Sequence, residues 1–155
     1  MSEKSTSEKS TDNESMNKGS IGRPLDSLLV NSLLRYWLPP ALWAGVIFIL
    51  SAQPSLPHYP DTLLDLILKK AAHMIEYGIL ASLLWRALSR GQGALSRSAW
   101  VTAFVVSVLY AASDEYHQTF VPGRNGTPVD VGIDTVGALI ALLIVGSLGR
   151  KERRK

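Results

Sequence analysis

The chain of 155 residues is 46% hydrophobic and 19% charged, carries a formal net charge of +3 and contains no cysteine. The length predicts one domain, the lack of cysteine excludes disulfides, thiolate metal sites and cysteine nucleophiles, and the small net charge gives no support to a nucleic-acid partner. Apolar residues are concentrated between Tyr36 and Leu148, which indicates a membrane protein with a soluble tail.

The N-terminal region, residues 1–30, consists mainly of Ser, Thr, Glu, Lys and Asn. It has no apolar run near its start, so it is not a secretory signal. Such a composition cannot bury enough apolar surface to offset the entropy of folding, which predicts a disordered tail. Residues 31–150 are predicted to form the membrane domain, and residues 151–155, "KERRK", a short basic tail.

Four apolar segments follow the tail, at about residues 36–52, 71–88, 99–114 and 131–148. The first is uncharged and has about the minimum length for a spanning helix. Pro39 and Pro40 are expected in its first turns, where missing N–H donors cost least. The other three segments contain ionisable residues, which are tolerated in a membrane when they face the inside of a bundle. The predicted fold is therefore all-α, a four-helix transmembrane bundle.

The basic residues of the short flanking regions predict the orientation of this bundle. With four spans, the N-terminal flank, the loop between the second and third segments and the C-terminus lie on one side. That side carries Lys18, Arg23, Arg35, Arg86, Arg90, Arg97 and the basic residues of 150–155. The opposite side carries fewer basic residues, namely Lys69, Lys70 and Arg124. The prediction is a multi-pass protein of the bacterial inner (cytoplasmic) membrane with both termini in the cytoplasm.

Ionisable and amide side chains recur at helical spacing in the last three segments. Residues three and four apart share one face of a helix, and the predicted topology puts these groups at the extracytoplasmic helix ends. Small residues continue the stripe of the fourth segment and let a neighbouring helix approach closely. We predict a polar cluster there, with His73, Glu76 and Tyr77 from the second segment, Asp114, Glu115, His117 and Gln118 from the third, and Asp130 and Asp134 from the fourth.

Two loops are predicted to close the same end. In "VPGRNGTPVD", Pro-Gly and Asn-Gly turns fold the chain back, so that Arg124 reaches the acidic groups and favours their ionised form. The first outer loop, "SAQPSLPHYPD", holds three prolines and is expected to be extended and to cap the cluster. His58 in this loop is expected to be solvated.

Three stretches, "SAQPSLP", "KKAAHMIEYGILASLL" and "SDEYHQTFVPGRNGTPVDVGIDTVGALIALL", occur in this order within residues 40–148. Together they resemble the VanZ-like family of small bacterial membrane proteins, and the D-E-x-x-Q-x-F-x-P-G-R element is the most specific part. In this resemblance, the family's S-x-Q element corresponds to Ser51 and Gln53, and its K-x-x-H element corresponds to Lys70 and His73, which are followed by Glu76 and Tyr77. The D-E-x-x-Q element corresponds to Asp114, Glu115 and Gln118, and the P-G-R element to Pro122, Gly123 and Arg124. The closing aspartate of the family corresponds to Asp130.

Two positions depart from the family's usual pattern. The family often has Asp-Lys before the histidine, where this chain has Lys69-Lys70, and often has Asn at the position of Asp134. The first departure removes an acid from the cluster and the second adds one. Founding members of the family are linked to low-level resistance to glycopeptide antibiotics of the teicoplanin type. The resemblance therefore implies a cell-envelope protein that affects susceptibility to such drugs, without an agreed mechanism.

Four functions remain open for the polar cluster. The charges can be structural glue between helices, worth about 0.6 to 2 kcal/mol each; in that case Glu115 is a solvated helix end and Arg124 pairs with Asp130. The cluster can instead bind a lipoglycopeptide or a lipid-linked cell-wall precursor beside the lipid bilayer. The predicted site residues are Ser51, Gln53, Lys70, His73, Glu76, Asp114, Glu115, Gln118, Arg124, Asp130 and Asp134.

Catalysis is the alternative to binding. The buried acids and histidines can act as general acids and bases. Asp114-x-x-His117 has the carboxylate-x-x-His spacing of four-helix metal sites, which allows a Mg²⁺, Mn²⁺ or Zn²⁺ site acting on a lipid-linked phosphate. The spacing is common and no hydrolase signature accompanies it, so the sequence leaves the cofactor open. Transport ranks last, because four spans are too few for the paired repeats of secondary transporters.

Overall fold

The computed structural model describes residues 25–54, 62–90 and 96–152, and within these ranges the chain forms four α-helices and no strand. The helices are α1 (Leu25–Ser51), α2 (Thr62–Leu88), α3 (Arg97–Gln118) and α4 (Pro128–Glu152). The all-α prediction is confirmed. Most of the predicted tail (residues 1–24), the proline-rich loop with His58 (residues 55–61) and residues 153–155 lie outside the described residues.

The helices extend beyond the predicted segments. Because α1 begins at Leu25, residues 25–30 are helical although they were predicted to end the disordered tail. For the same reason Pro39 and Pro40 lie in the interior of α1, so the prediction that they occupy its first turns is wrong. Each proline removes one N–H donor from the helix. The helix is nevertheless continuous through this point.

The compact unit that holds the site begins at Leu34. Within this unit α2, α3 and α4 pack directly on one another, most extensively α2 on α4. The α2–α4 contact is close because its residues are small. A Cβ on the buried Gly137 would overlap the backbone of Met74, and Ala138 is fully buried beside it. The small-residue stripe of the fourth segment thus faces a neighbouring helix, as predicted.

Helix α1 contacts the other helices through side chains. Within the described ranges, none of its Cα atoms lies within 8 Å of a Cα atom of another helix. The indole N–H of Trp43 donates to the carbonyl of Glu76 at 2.9 Å, and the hydroxyl of Tyr110 donates to the carbonyl of Ala44 at 2.7 Å. Large side chains therefore fill the space that separates α1 from α2 and α3.

The distribution of polarity is inverted relative to a water-soluble protein. Large apolar side chains are exposed on all four helices, among them Ile49, Ile75, Leu109 and Leu143, whereas Asp114, Glu115 and Asp134 are buried. Two helical stretches, Val30–Ser51 and Pro128–Gly149, are long and apolar enough to cross a bilayer. Exposed apolar surface with buried ionisable groups is typical of a membrane protein.

Candidate functional site

The polar side chains converge at one end of the helices, around two neighbouring cavities. The larger one, here called the polar cavity, has a volume of about 320 Å³ and lies between α2, α4, the end of α3 and the α3–α4 turn (residues 119–127). The smaller one, the α1 cavity, has a volume of about 200 Å³ and lies between α1, α2 and α3. His73 and Arg124 line both cavities, which are therefore parts of one site.

The predicted site residues divide between these cavities. The polar cavity is lined by Lys70, His73, Glu115, Gln118, Arg124, Asp130 and Asp134. The α1 cavity is lined by Ser51, His73, Glu76, Asp114 and Arg124. Gln53 is the predicted residue that the structure leaves outside: its side chain is exposed and donates to the carbonyl of Ile49, which extends the end of α1.

Helices α2 and α4 contribute two charged pairs, about one helical turn apart. The ammonium group of Lys70 lies 2.5 Å from an Asp130 carboxylate oxygen, with both side chains about one-third exposed or less. Deeper in the bundle, His73 Nδ1 lies 3.4 Å from Asp134 Oδ1. That second contact does not have hydrogen-bond geometry, and both carboxylate oxygens of Asp134 lack a hydrogen-bond donor among the described residues.

Glu115 is buried at the end of α3, and only 4% of its surface is exposed. The backbone N–H of Thr127 donates to one of its carboxylate oxygens at 3.0 Å. The Gln118 amide donates to the other at 3.2 Å and also to Asp114 at 3.2 Å. The interpretation of Glu115 as a solvated helix end is therefore wrong, because the α3–α4 turn covers it.

The turn can cover Glu115 because it contains a glycine at the point of closest approach. A Cβ on Gly126 would overlap the carbonyl of Glu115, so a residue with a side chain would push the turn away from α3. The Asn-Gly dipeptide that predicted a turn thus also brings the next residue, Thr127, to the Glu115 carboxylate.

Thr127 is a site residue that the sequence prediction missed. Its hydroxyl oxygen lies 3.2 Å from the N–H of Asp130, which donates to it, and 2.8 Å from an Asp130 carboxylate oxygen, to which the hydroxyl donates. It therefore caps the N-terminus of α4 and fixes the carboxylate that binds Lys70. The stretch T-P-V-D carries the recognisable signal, a threonine N-cap, a proline at the first helical position and an acid at the third.

Arg124 projects from the α3–α4 turn and is half-buried. The interpretation that it pairs with Asp130 is wrong, because Lys70 occupies that carboxylate. Its Nε has no hydrogen-bond acceptor among the described residues. Arg124 lines both cavities, so a ligand in either one would lie beside its side chain.

His117 does not join the cluster as predicted. Its ring lies against Phe48 of α1, with the ring centroids 4.7 Å apart, and it lines neither cavity. Among residues 25–54, 62–90 and 96–152, the side chains that could hold a metal ion are instead His73, Glu115 and Asp134, with one ligand atom of each within 4.8 Å of the others. The Asp114-x-x-His117 spacing therefore did not identify these three residues, because they come from three different helices.

The charges of the site do not balance. Five carboxyl groups line the two cavities, and four of them, those of Glu76, Asp114, Glu115 and Asp134, have no lysine partner among the described residues. The nearby cations Lys69 and Lys70 already pair with Asp65 and Asp130. Arg124 and His73 remain to compensate the four acids. The site therefore favours a ligand that brings positive charge or hydrogen-bond donors.

Comparison with known proteins identifies one family. The family model described as VanZ/LLP1 matches residues 31–149, which is most of the chain. This match confirms the resemblance indicated by the three motifs. No curated protein and no solved structure matches the chain.

Proposed function

Because the chain belongs to the VanZ/LLP1 family, we propose that it is a multi-pass protein of the bacterial cytoplasmic membrane, with four spanning helices and both termini in the cytoplasm. The two cavities then open at the extracytoplasmic face. Basic residues support this orientation, since Arg35, Arg86, Arg90 and Arg97 are exposed toward the opposite end. At that end the Arg90 guanidinium lies 5.3 Å from the centre of the Tyr36 ring.

The proposed function is to bind a lipophilic or lipid-linked molecule of the cell envelope and thereby to alter susceptibility to teicoplanin-type glycopeptides. Such a ligand has a polar group and a hydrocarbon chain. The polar group would occupy the polar cavity, where acidic, basic and amide side chains can orient it. A lipid-linked cell-wall precursor and a lipoglycopeptide both fit this chemistry.

The observation that carries the proposal is an apolar groove beside the polar cavity. This groove has a volume of about 420 Å³ and follows the line where α2 meets α4. It starts within one helical turn of His73 and Asp134 and is lined by Met74, Ile75, Gly78, Ile79, Ser82, Leu83, Gly137, Ile140, Ala141 and Ile144.

The groove runs along the α2–α4 contact at Gly78 and Gly137, where an added Cβ would meet atoms of the facing helix. It faces outward, where the exposed Ile75 and Ile140 would meet lipid. A hydrocarbon chain lying in the groove would keep its polar end at the cavity. A ligand without such a chain would lose the contact with the groove, which explains why we propose a lipid-bearing ligand.

The test is the teicoplanin susceptibility of cells that express single variants. Asp114→Asn and Arg124→Ala each remove a charged group that lines the α1 cavity and, for Arg124, also the polar cavity. We expect both variants to be inserted in the membrane at wild-type levels but to leave susceptibility at the value of cells without the protein. The matched control is Arg97→Ala, which removes an exposed charge at the other end of the bundle.

If cells expressing either cavity variant were as susceptible to teicoplanin as cells expressing the wild-type protein, these cavities would not be the site of action. Loss of the effect in Arg97→Ala as well would indicate that overall charge or stability, rather than the cavities, controls the phenotype. Immunoblotting of the membrane fraction separates poor insertion from loss of function.

A further inference from the structure

The structure points to a metal site at the base of the polar cavity. We propose that His73, Glu115 and Asp134 bind one divalent transition-metal cation, Mn²⁺ or Zn²⁺. The three residues come from α2, α3 and α4, and one ligand atom of each lies within 4.8 Å of the others. Nitrogen and carboxylate oxygen bind zinc at ~2.0–2.2 Å, so side-chain rotations on ion binding would draw these atoms closer together.

Asp134 provides an observation independent of this proximity. Its surface is 1% exposed, and neither of its carboxylate oxygens accepts a hydrogen bond from the described residues. A buried carboxylate without a donor is costly. The carboxylate points to the same space as the His73 imidazole, whose Nδ1 is also without a hydrogen-bond partner. A bound cation satisfies both groups at once.

The charge of the site supports a divalent ion. With neutral imidazole, the three ligands carry two negative charges, which a divalent cation neutralises. Lys70 does not neutralise these charges from its observed position, because its ammonium group lies 2.5 Å from Asp130. Asp130 sits one helical turn further out, so the Lys70–Asp130 pair closes the site on its outer side.

The ligands are held by neighbouring groups in the way that metal sites require. Thr127 and Gln118 donate hydrogen bonds to the two oxygens of Glu115, at 3.0 and 3.2 Å. Each carboxylate oxygen has a second lone pair, so Glu115 can still coordinate a metal. The α4 cap at Thr127 also fixes the start of the helix that carries Asp134.

The donor set selects the class of metal. Imidazole favours zinc and other transition metals over magnesium and calcium, while carboxylates also suit manganese. Three protein ligands leave coordination positions open, as in catalytic rather than structural zinc sites. These positions face the polar cavity, where an anionic oxygen of a ligand could bind. The inference does not rest on the proposed function, because cation binding is measured on the protein alone.

The test uses the full-length chain, purified in detergent, treated with a chelator and titrated with Mn²⁺ alone and with Zn²⁺ alone. We expect one ion to bind per chain. His73→Gln, Glu115→Gln and Asp134→Asn should each weaken binding at least about tenfold, the lower limit seen when groups that merely support metal ligands are removed. His117→Gln is the matched control, since His117 lies against Phe48 and lines neither cavity.

A spectroscopic readout separates coordination from a structural role. Pulsed electron paramagnetic resonance of the Mn²⁺-loaded protein should detect an imidazole nitrogen in the wild type and in His117→Gln, and lose it in His73→Gln. The proposal is overturned if the wild type binds no ion, if Mn²⁺ shows no nitrogen coupling, or if the three ligand variants bind like the wild type. The first two outcomes concern the wild type, so an unfolded variant cannot obscure them.

Discussion

The two helix interfaces beside the site are built in opposite ways. Helices α2 and α4 meet through glycine and alanine, and at Gly137 the two backbones are in contact. Helix α1 meets α2 and α3 through Trp43, Ile47 and Tyr110, with its backbone further away. The first interface depends on the absence of side chains and the second on their presence.

The two interfaces shape different cavities of the site. The α2–α4 interface fixes His73 against Asp134 and Lys70 against Asp130, so it sets the geometry of the polar cavity. The α1 interface forms one wall of the α1 cavity, to which α1 contributes Ile47, Leu50 and Ser51. Interfaces made by side chains can repack more easily than backbone contacts. We therefore expect α1, rather than α4, to move when a ligand enters the α1 cavity.

The largest effect is expected for Gly137→Ala, which tests whether the α2–α4 interface depends on the absence of side chains. The added methyl group would overlap the backbone of Met74 and force α2 and α4 apart. We expect a loss of about 3 kcal/mol in the free energy of unfolding, the upper end of the range for overpacking. The control is Gly132→Ala in the same helix, where a Cβ meets no atom within 4 Å. Unfolding by sodium dodecyl sulfate in mixed micelles measures both, and equal stability would disprove the backbone contact.

A smaller effect is expected for Trp43→Ala, which removes a half-buried side chain and its hydrogen bond to Glu76. The expected loss is about 2 kcal/mol, less than the ~3 to 5 kcal/mol for truncation of a fully buried tryptophan, because Trp43 is only half-buried. The substitution should detach α1 without dispersing the other helices. Trp37→Ala is the matched control, because Trp37 is exposed on the same helix. Limited proteolysis of α1 should increase in the first variant alone; equal cleavage of both would contradict docking through Trp43.

The smallest effect is expected for Tyr110→Phe, which removes the hydroxyl that donates to the Ala44 carbonyl and keeps the ring. Interhelical hydrogen bonds in membranes contribute about 0.6 kcal/mol on average, so a loss of that size is expected in the same unfolding assay. Tyr116→Phe serves as the control, because its side chain is exposed. If Tyr110→Phe cost as much as Trp43→Ala, the hydroxyl rather than aromatic packing would dominate the α1 interface.

The helices themselves were largely predictable from the sequence. Apolar segments interrupted by Pro, Gly and polar residues predicted four helices, and the structure has four within the described ranges. Their ends were less predictable. Residues 25–30 at the start of α1, four of which are apolar, and the charged residues at the start of α2 are helical although they lie outside the predicted apolar segments. A helix extends past its most apolar part wherever the flanking residues are good helix formers. Hydropathy marks apolar length and not helix ends.

The candidate site was predictable as a set of residues but not as a set of pairs. Helical spacing selected His73, Glu76, Asp114 and Asp134, which line the two cavities. Spacing within one helix could not show that Asp130 pairs with Lys70 rather than Arg124, or that His117 turns to Phe48. Those partners lie on other elements, and their choice depends on how the helices rotate about their axes.

By itself, the sequence determined the helical class, the family and the concentration of polar residues near three helix ends, because each follows from local pattern and motif. The tertiary structure decided which polar atoms meet. It brought His73, Glu115 and Asp134 together from three helices and left Gln53 outside. The physical reason is that convergence depends on the close α2–α4 contact at Gly137 and on the turn at Gly126, and both are contacts between residues distant in sequence.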